Sequence, residues 1–102
     1  MNENSNYPRS NYEAKQFTVA TGQTAYDVKT SETLFVSPTY PDHDYINIAT
    51  NQAITVKFNN TAHAGFPIAA NSSLVLSGEL RVSNIFIANA SGSTATITLL
   101  LI

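Results

Sequence analysis

The sequence predicts an all-β fold: a single antiparallel β-sandwich, jelly-roll-like, with an extended N-terminal arm. Three observations carry this. Ile, Val and Thr together supply 26 of 102 residues, and their stiff β-branched side chains favour pleated surfaces. Turn signals recur about every eight to twelve residues, as in small sandwiches and barrels. Between them, short segments alternate apolar and polar residues, the mark of strands with one face in a core and one in water.

The arm comes first. Residues 1–14 (MNENSNYPRSNYEA) hold four Asn and two Ser, and apart from Met1 their only bulky groups are Tyr7 and Tyr12. Such a segment buries too little apolar surface to offset its chain entropy and is expected to be disordered alone. Tyr7, Pro8, Arg9 and Tyr12 are the groups expected to grip a partner surface; the alternative is packing along the arm's own domain. The sandwich domain is expected over residues 15–102.

Strands are predicted over residues 16–20, 25–29, 32–36, 45–49, 53–58, 66–69, 72–76, 80–89 and 94–101. Ile54, Val56 and Phe58 point one way, with Thr55 and Lys57 opposite; Phe17 with Val19, Ile46 with Ile48, and Leu74 with Leu76 repeat the pattern. The turn signals are Thr21-Gly22, Pro38 with Pro41, Asn59-Asn60, Gly65 with Pro67, Asn71-Ser72, Ser77-Gly78 and Ser91-Gly92. The long segment 80–89 is expected to bend near Ser83-Asn84. Residues 90–93 read as a tight turn into the last strand.

The last third breaks the alternation. Ile97, Leu99 and Leu101 share one face, but Leu100 and Ile102 lie on the other; Phe86 likewise faces away from Ile85 and Ile87. After Lys57 the only charged side chains are Glu79 and Arg81. Strand surfaces usually carry charge for solubility. Phe86, Leu100 and Ile102 are therefore the expected contacts between copies of the chain, unless closure of the fold or the arm covers them.

Composition excludes much chemistry. Cys is absent, which removes disulfides, thiolate metal sites and a cysteine nucleophile. A net charge of -2 leaves no electrostatic footprint for nucleic acid. No apolar run suits a membrane helix, and the N-terminus has no apolar stretch of the kind a secretion signal carries. Asp42, His43 and Asp44 are adjacent and of metal-ligand type, but His63 is the only other imidazole and a metal needs more ligands. The segment 38–45 reads better as a partner- or glycan-contacting loop through Tyr40 and Tyr45, since Tyr joins apolar area to a polar tip. No G-x-S-x-G elbow occurs, and the Gly residues are isolated, so no phosphate loop exists. Three N-x-[ST] triplets, at Asn59, Asn71 and Asn89, match the number that about 11 Asn and 22 hydroxyl residues give by chance. Neither enzyme activity, a cofactor nor a metal is expected.

Residues 53–102 can be read together: I-x-V-x-F-N at 54–59, I-A-A-N at 68–71, V-S-N-I-F-I-A-N-A-S-G at 82–92, then a terminal apolar strand. This half of the chain resembles the small β-sandwich virion structural proteins of tailed bacteriophages. The resemblance implies a non-enzymatic, virion-located protein, a homo-oligomer and often a trimer, of the capsid decoration or cement type. Its partners would be itself and the major capsid protein or another virion protein. A tail, neck or fibre-attachment component is the sister reading. A carbohydrate-binding or adhesion module is the alternative from another class. In a cement role the arm supplies reach: fourteen extended residues span about 45 Å.

Overall fold

A computed structural model describes residues 12–37 and 42–102, with the backbone alone at 79 and 80. Within them lie eight strands and one helical turn: β1 (Glu13–Val19), β2 (Tyr26–Asp27), α1 (Val28–Glu32), β3 (His43–Thr50), β4 (Ile54–Phe58), β5 (Phe66–Ile68), β6 (Ser72–Val82), β7 (Ile85–Ala88) and β8 (Ala95–Leu101). They form two four-stranded sheets. Sheet A has the order β1-β8-β3-β6 and sheet B the order β2-β7-β4-β5, and every pairing is antiparallel. The chain crosses between sheets at every step but β4–β5, and the first and last strands are neighbours, which is the double Greek key of a jelly roll. The expected fold class is the observed one.

The core follows the alternation. Phe17 and Val19 of β1, Ile46 and Ile48 of β3, Ile54 and Val56 of β4, Ile85 and Ile87 of β7, and Ile97, Leu99 and Leu101 of β8 are all buried. Leu74 and Leu76 are partly buried and pack against this core. At about 25 cal/mol per Å² of apolar surface removed from water, each large aliphatic contributes roughly 1.5–3 kcal/mol.

The chain departs from the expected strands in three places. First, the predicted strand at 32–36 is not one. Asp27 caps a helical turn, its carboxylate accepting the Thr30 N–H at 3.1 Å, the usual device of an N-cap Asp. Thr33 (φ 58°) ends the turn in the left-handed region, and Phe35 (φ 58°) adopts it too. These kinks let the consecutive Leu34 and Phe35 both enter the core, which a flat strand forbids. The turn also shortens the predicted strand 25–29 to Tyr26–Asp27.

Second, Ser77-Gly78 does not end a strand. β6 runs through it, with Gly78 at φ +115°. Tyr45 pairs with Ser77 and His43 with Val82, so two steps along β3 match five along β6, and the excess is taken up around Gly78 (a conformation that a Cβ disfavours). Opposite, Asp44 N–H and Tyr45 N–H both donate to the Ile102 carbonyl at 3.1 Å, a β-bulge. That bulge shifts the phase of β3 so that His43 and Ile46, three apart, are both buried. Third, 80–89 divides at its expected bend: β6 ends at Val82 in sheet A and β7 starts at Ile85 in sheet B.

Two residues assigned to the arm, Glu13 and Ala14, belong to β1, opposite Leu101 and Leu100. Of the arm's gripping groups, Tyr7, Pro8 and Arg9 lie outside the described residues, as does Tyr40 of the proline loop.

Candidate interaction surface

Alternation on sheet A sends one set of side chains inward and the other outward. Cross-strand register arranges the outward set in rows. Ala14, Leu100, Asn47 and Val75 form one row across all four strands, and Gln16, Thr98, Ala49 and Ser73 the next. Thr18 faces Thr96 at one end, and Tyr45 faces Ser77 at the other. Three residues per strand give a block of twelve neutral positions; beyond it, past Tyr45 and Ser77, the exposed Asp44 of β3 and Arg81 of β6 carry charge. The Gln16 side-chain amide donates to Thr98 Oγ1 at 3.1 Å. The charges of β1 are on the opposite phase. Lys15 Nζ donates to the Glu32 carbonyl at 2.9 Å and lies 3.1 Å from its carboxylate, and Glu13 turns inward.

Sequence reasoning named four residues that the fold gathers at one end of this face. Leu100 is half-buried in the central row; Ile102 and Tyr45 exchange backbone hydrogen bonds, Ile102 N–H to Tyr45 O at 2.9 Å and Tyr45 N–H back to Ile102 O. Tyr12, exposed at 54%, precedes the Glu13–Leu101 pair at the same end. Phe86 does not join them. It pairs with Asp27 and Lys57 in sheet B, on the other side of the sandwich, so the expected trio of contacts splits. Sheet B's outer face also carries an open groove of about 490 Å³ lined by small side chains including Ala53, Thr55, Pro67, Ala69, Ala88 and Ala90.

The triplet Asp42-His43-Asp44 is dispersed by the bulge. His43 points inward and is buried, Asp44 is exposed, and Asp42 sits 3.8 Å from the Arg81 guanidinium. Among the described residues no three His, Cys, Asp or Glu side chains come together as a metal cluster. His63 is exposed in the β4–β5 connection, its Nδ1–H donating to the Phe58 carbonyl at 2.8 Å.

His43 instead belongs to a small polar cluster that sequence reasoning missed. One Glu13 carboxylate oxygen accepts the Phe35 N–H at 2.8 Å and the His43 Nε2–H at 3.1 Å. The Phe35 ring meets the imidazole edge-on, 5.5 Å between centroids. Glu13 thereby ties the start of β1 to β3 and to the left-handed residue Phe35, offsetting a backbone cost of about 1–2 kcal/mol. The only sequence signal was an acid at an inward-phase position of β1, and it was hidden by placing Glu13 in the arm.

Asparagine holds the remaining corners. Asn84 Oδ1 accepts Lys29 N–H and Ile85 N–H, and its amide donates to Asp27 at 2.9 Å. That hydrogen bond first, then those from Thr30 and Lys29, hold the Asp27 carboxyl below its usual range against the opposing effect of burial. Asn59, at φ 68°, accepts Ser83 N–H and Asn84 N–H and donates to the Arg81 carbonyl. Tyr26 stacks on Phe17 and donates its hydroxyl to the Glu32 carboxylate. Burial pushes the Tyr26 phenol up, and the Glu32 hydrogen bond and charge push it further.

No protein-family model and no curated protein matches the sequence. The fold is similar to a solved structure described as a de novo designed double-stranded β-helix, with a TM-score of 0.56 over 88% of this chain and 99% of that one, at 10% identity. At that identity the likeness concerns the fold alone, and it agrees with the two-sheet architecture.

Proposed function

We propose that this chain is a non-enzymatic virion structural protein, a capsid decoration or cement protein that binds and stabilises a phage head as a homo-oligomer. The observation that carries the reading is the block of twelve neutral outward positions on sheet A, with Tyr12, Tyr45, Leu100 and Ile102 at the end where the exposed Asp44 and Arg81 begin. Burying an unpaired charge against a partner is expensive, whereas Ala and Leu gain on desolvation and Thr and Asn cost little once hydrogen-bonded. A rigid sandwich also loses little side-chain and loop freedom on docking. The sister reading, a tail, neck or fibre-attachment component, uses the same face. A sugar site draws less support, because Tyr45 is half-buried in its strand.

Co-sedimentation with purified heads and, separately, with tails of the phage that carries the chain tests this. Wild type should pellet with heads, and Leu100→Lys should lose at least tenfold in affinity with an unchanged thermal melt. Pelleting with tails alone moves the assignment to the sister reading. Binding to neither particle, or undiminished binding by Leu100→Lys, overturns it.

A further inference from the structure

The two sheets present four edges, and three are blunted. β1 carries Glu13 and Lys15; β2 has two residues; β5 has three, one of them Pro67. Charge, brevity and proline are the ordinary protections against edge-to-edge pairing. The fourth edge lacks them. β6 is eleven residues long, is hydrogen-bonded among the described residues to β3 on one side alone, and has no charge or proline from Ser72 to Gly78.

That stretch is also a palindrome. Ser73-Leu74-Val75-Leu76-Ser77 reads the same in both directions. Antiparallel pairing of β6 with the β6 of a second copy, centred on Val75, sets Val75 against Val75, Leu74 against Leu76, and Ser73 against Ser77. Every cross-strand pair is then chemically matched, and the strand's uncharged side chains incur no like-charge repulsion. Val75 is 52% exposed, and Leu74 and Leu76 are only partly covered by their own core, so all three leave apolar surface for a partner. Phe66, exposed at 48%, stands on β5, the edge of the other sheet, which residues 69–71 join to β6 at the same rim.

We propose that β6 is a self-association edge: two copies pair antiparallel about a twofold axis through Val75, extending sheet A from four strands to eight. Seven residues per strand supply about six to eight backbone hydrogen bonds. The neutral twelve-residue blocks of the two copies become one continuous surface. This deepens the self-association within the proposed function, gives it twofold symmetry, and rests on that element alone.

The natural absence of cysteine makes the test clean. Val75→Cys places each thiol opposite its own symmetry mate, with Cβ atoms about 4.5–5.5 Å apart. Ser77→Cys places the two thiols about 13 Å or more apart, beyond disulfide reach. Under mild oxidation of the full chain, Val75→Cys should form a covalent dimer, Ser77→Cys alone should not, and a mixture of Ser73→Cys with Ser77→Cys should cross-link. By sedimentation equilibrium, Val75→Lys should weaken association about tenfold with its circular dichroism spectrum retained. An oligomer in which Val75→Cys cross-links no faster than Ser77→Cys overturns the edge and leaves self-association standing. A wild-type monomer at every concentration overturns both.

Discussion

Replacing Asn89 with Ala tests whether asparagine builds this fold. Asn89 is completely buried at the β7–β8 turn. Its amide donates to the Val19 and Ser93 carbonyls, each at 2.9 Å, and its carbonyl oxygen accepts the Ser91 N–H at 3.0 Å. Its own backbone closes a second loop, Gly22 N–H to Asn89 O and Asn89 N–H to Gln23 O, and these survive the substitution. The Ser93 carbonyl keeps a donor in the Ser91 hydroxyl, and Ser91 is exposed enough for water to serve its N–H. The Val19 carbonyl, in the last pair of the β1–β8 ladder, loses its side-chain donor. Three lost hydrogen bonds at about 0.5–1.5 kcal/mol each sum to about 3 kcal/mol. For a domain of this size that lowers Tm by roughly 12–24 °C. Urea denaturation should show a lower midpoint at unchanged slope, while the outward-facing Asn47→Ala stays within about 0.5 kcal/mol. A loss below about 0.5 kcal/mol for Asn89→Ala refutes the reasoning. The same burial makes the triplet at Asn89 unusable for glycosylation in the folded chain.

Three further outcomes follow from the contacts. A Cβ on Gly65 would collide with Thr55 Cγ2, so Gly65→Ala should cost about 1–3 kcal/mol; in a Thr55→Ser background, which removes that methyl, at least half should return, and equal losses in both backgrounds contradict the clash. The Asp27 carboxyl is held below its ordinary range in the folded state, so its contribution is complete above the unfolded value, near about 4, and disappears as pH falls through the lowered folded value. Denaturation midpoints of wild type and Asp27→Asn should therefore differ most at pH 7 and converge as pH falls past the lowered folded value; a constant gap disproves the linkage. Phe86→Lys, on sheet B, should leave head binding intact where Leu100→Lys weakens it at least tenfold, and equal losses would deny the face its specificity.

Much of the fold was legible because a sandwich strand has one buried face. Phe17 with Val19, Ile46 with Ile48, and Ile97 with Leu99 and Leu101 declare that face by period two alone. The misreadings share a cause: apolar runs that leave period two. Leu34-Phe35-Val36 looks like a strand, yet the Asp27 cap and two left-handed residues make it a plug. His43 looked like loop because the phase of β3 inverts at a bulge, and a bulge leaves no periodic trace. Of the candidate surface, Tyr12, Tyr45, Leu100 and Ile102 were named individually. Their convergence depends on strand order β1-β8-β3-β6, which pairs the chain's two ends and is not encoded in any local segment. Phe86 was grouped with them because adjacency in sequence says nothing about which sheet a strand joins.

The shortage of charge acquires a location from that strand order. Overall, charged residues are 12% of the chain, and a bulk figure of that kind is compatible with a sparse but even surface. The fold makes it uneven. Lys15 and Glu32 pair with each other, Glu13 serves Phe35 and His43, Asp27 serves the α1 cap and Asn84, and Asp42 lies near Arg81. These groups are occupied at rims and corners, while the four strands of sheet A turn twelve neutral side chains outward. A neutral face meets a partner without desolvating a charge, and a neutral edge on β6 admits a second copy without repelling it. Both features sit on the same sheet. Pairing two copies through β6 would double the face without altering its chemistry, so association between copies and docking to a larger shell would reinforce rather than compete.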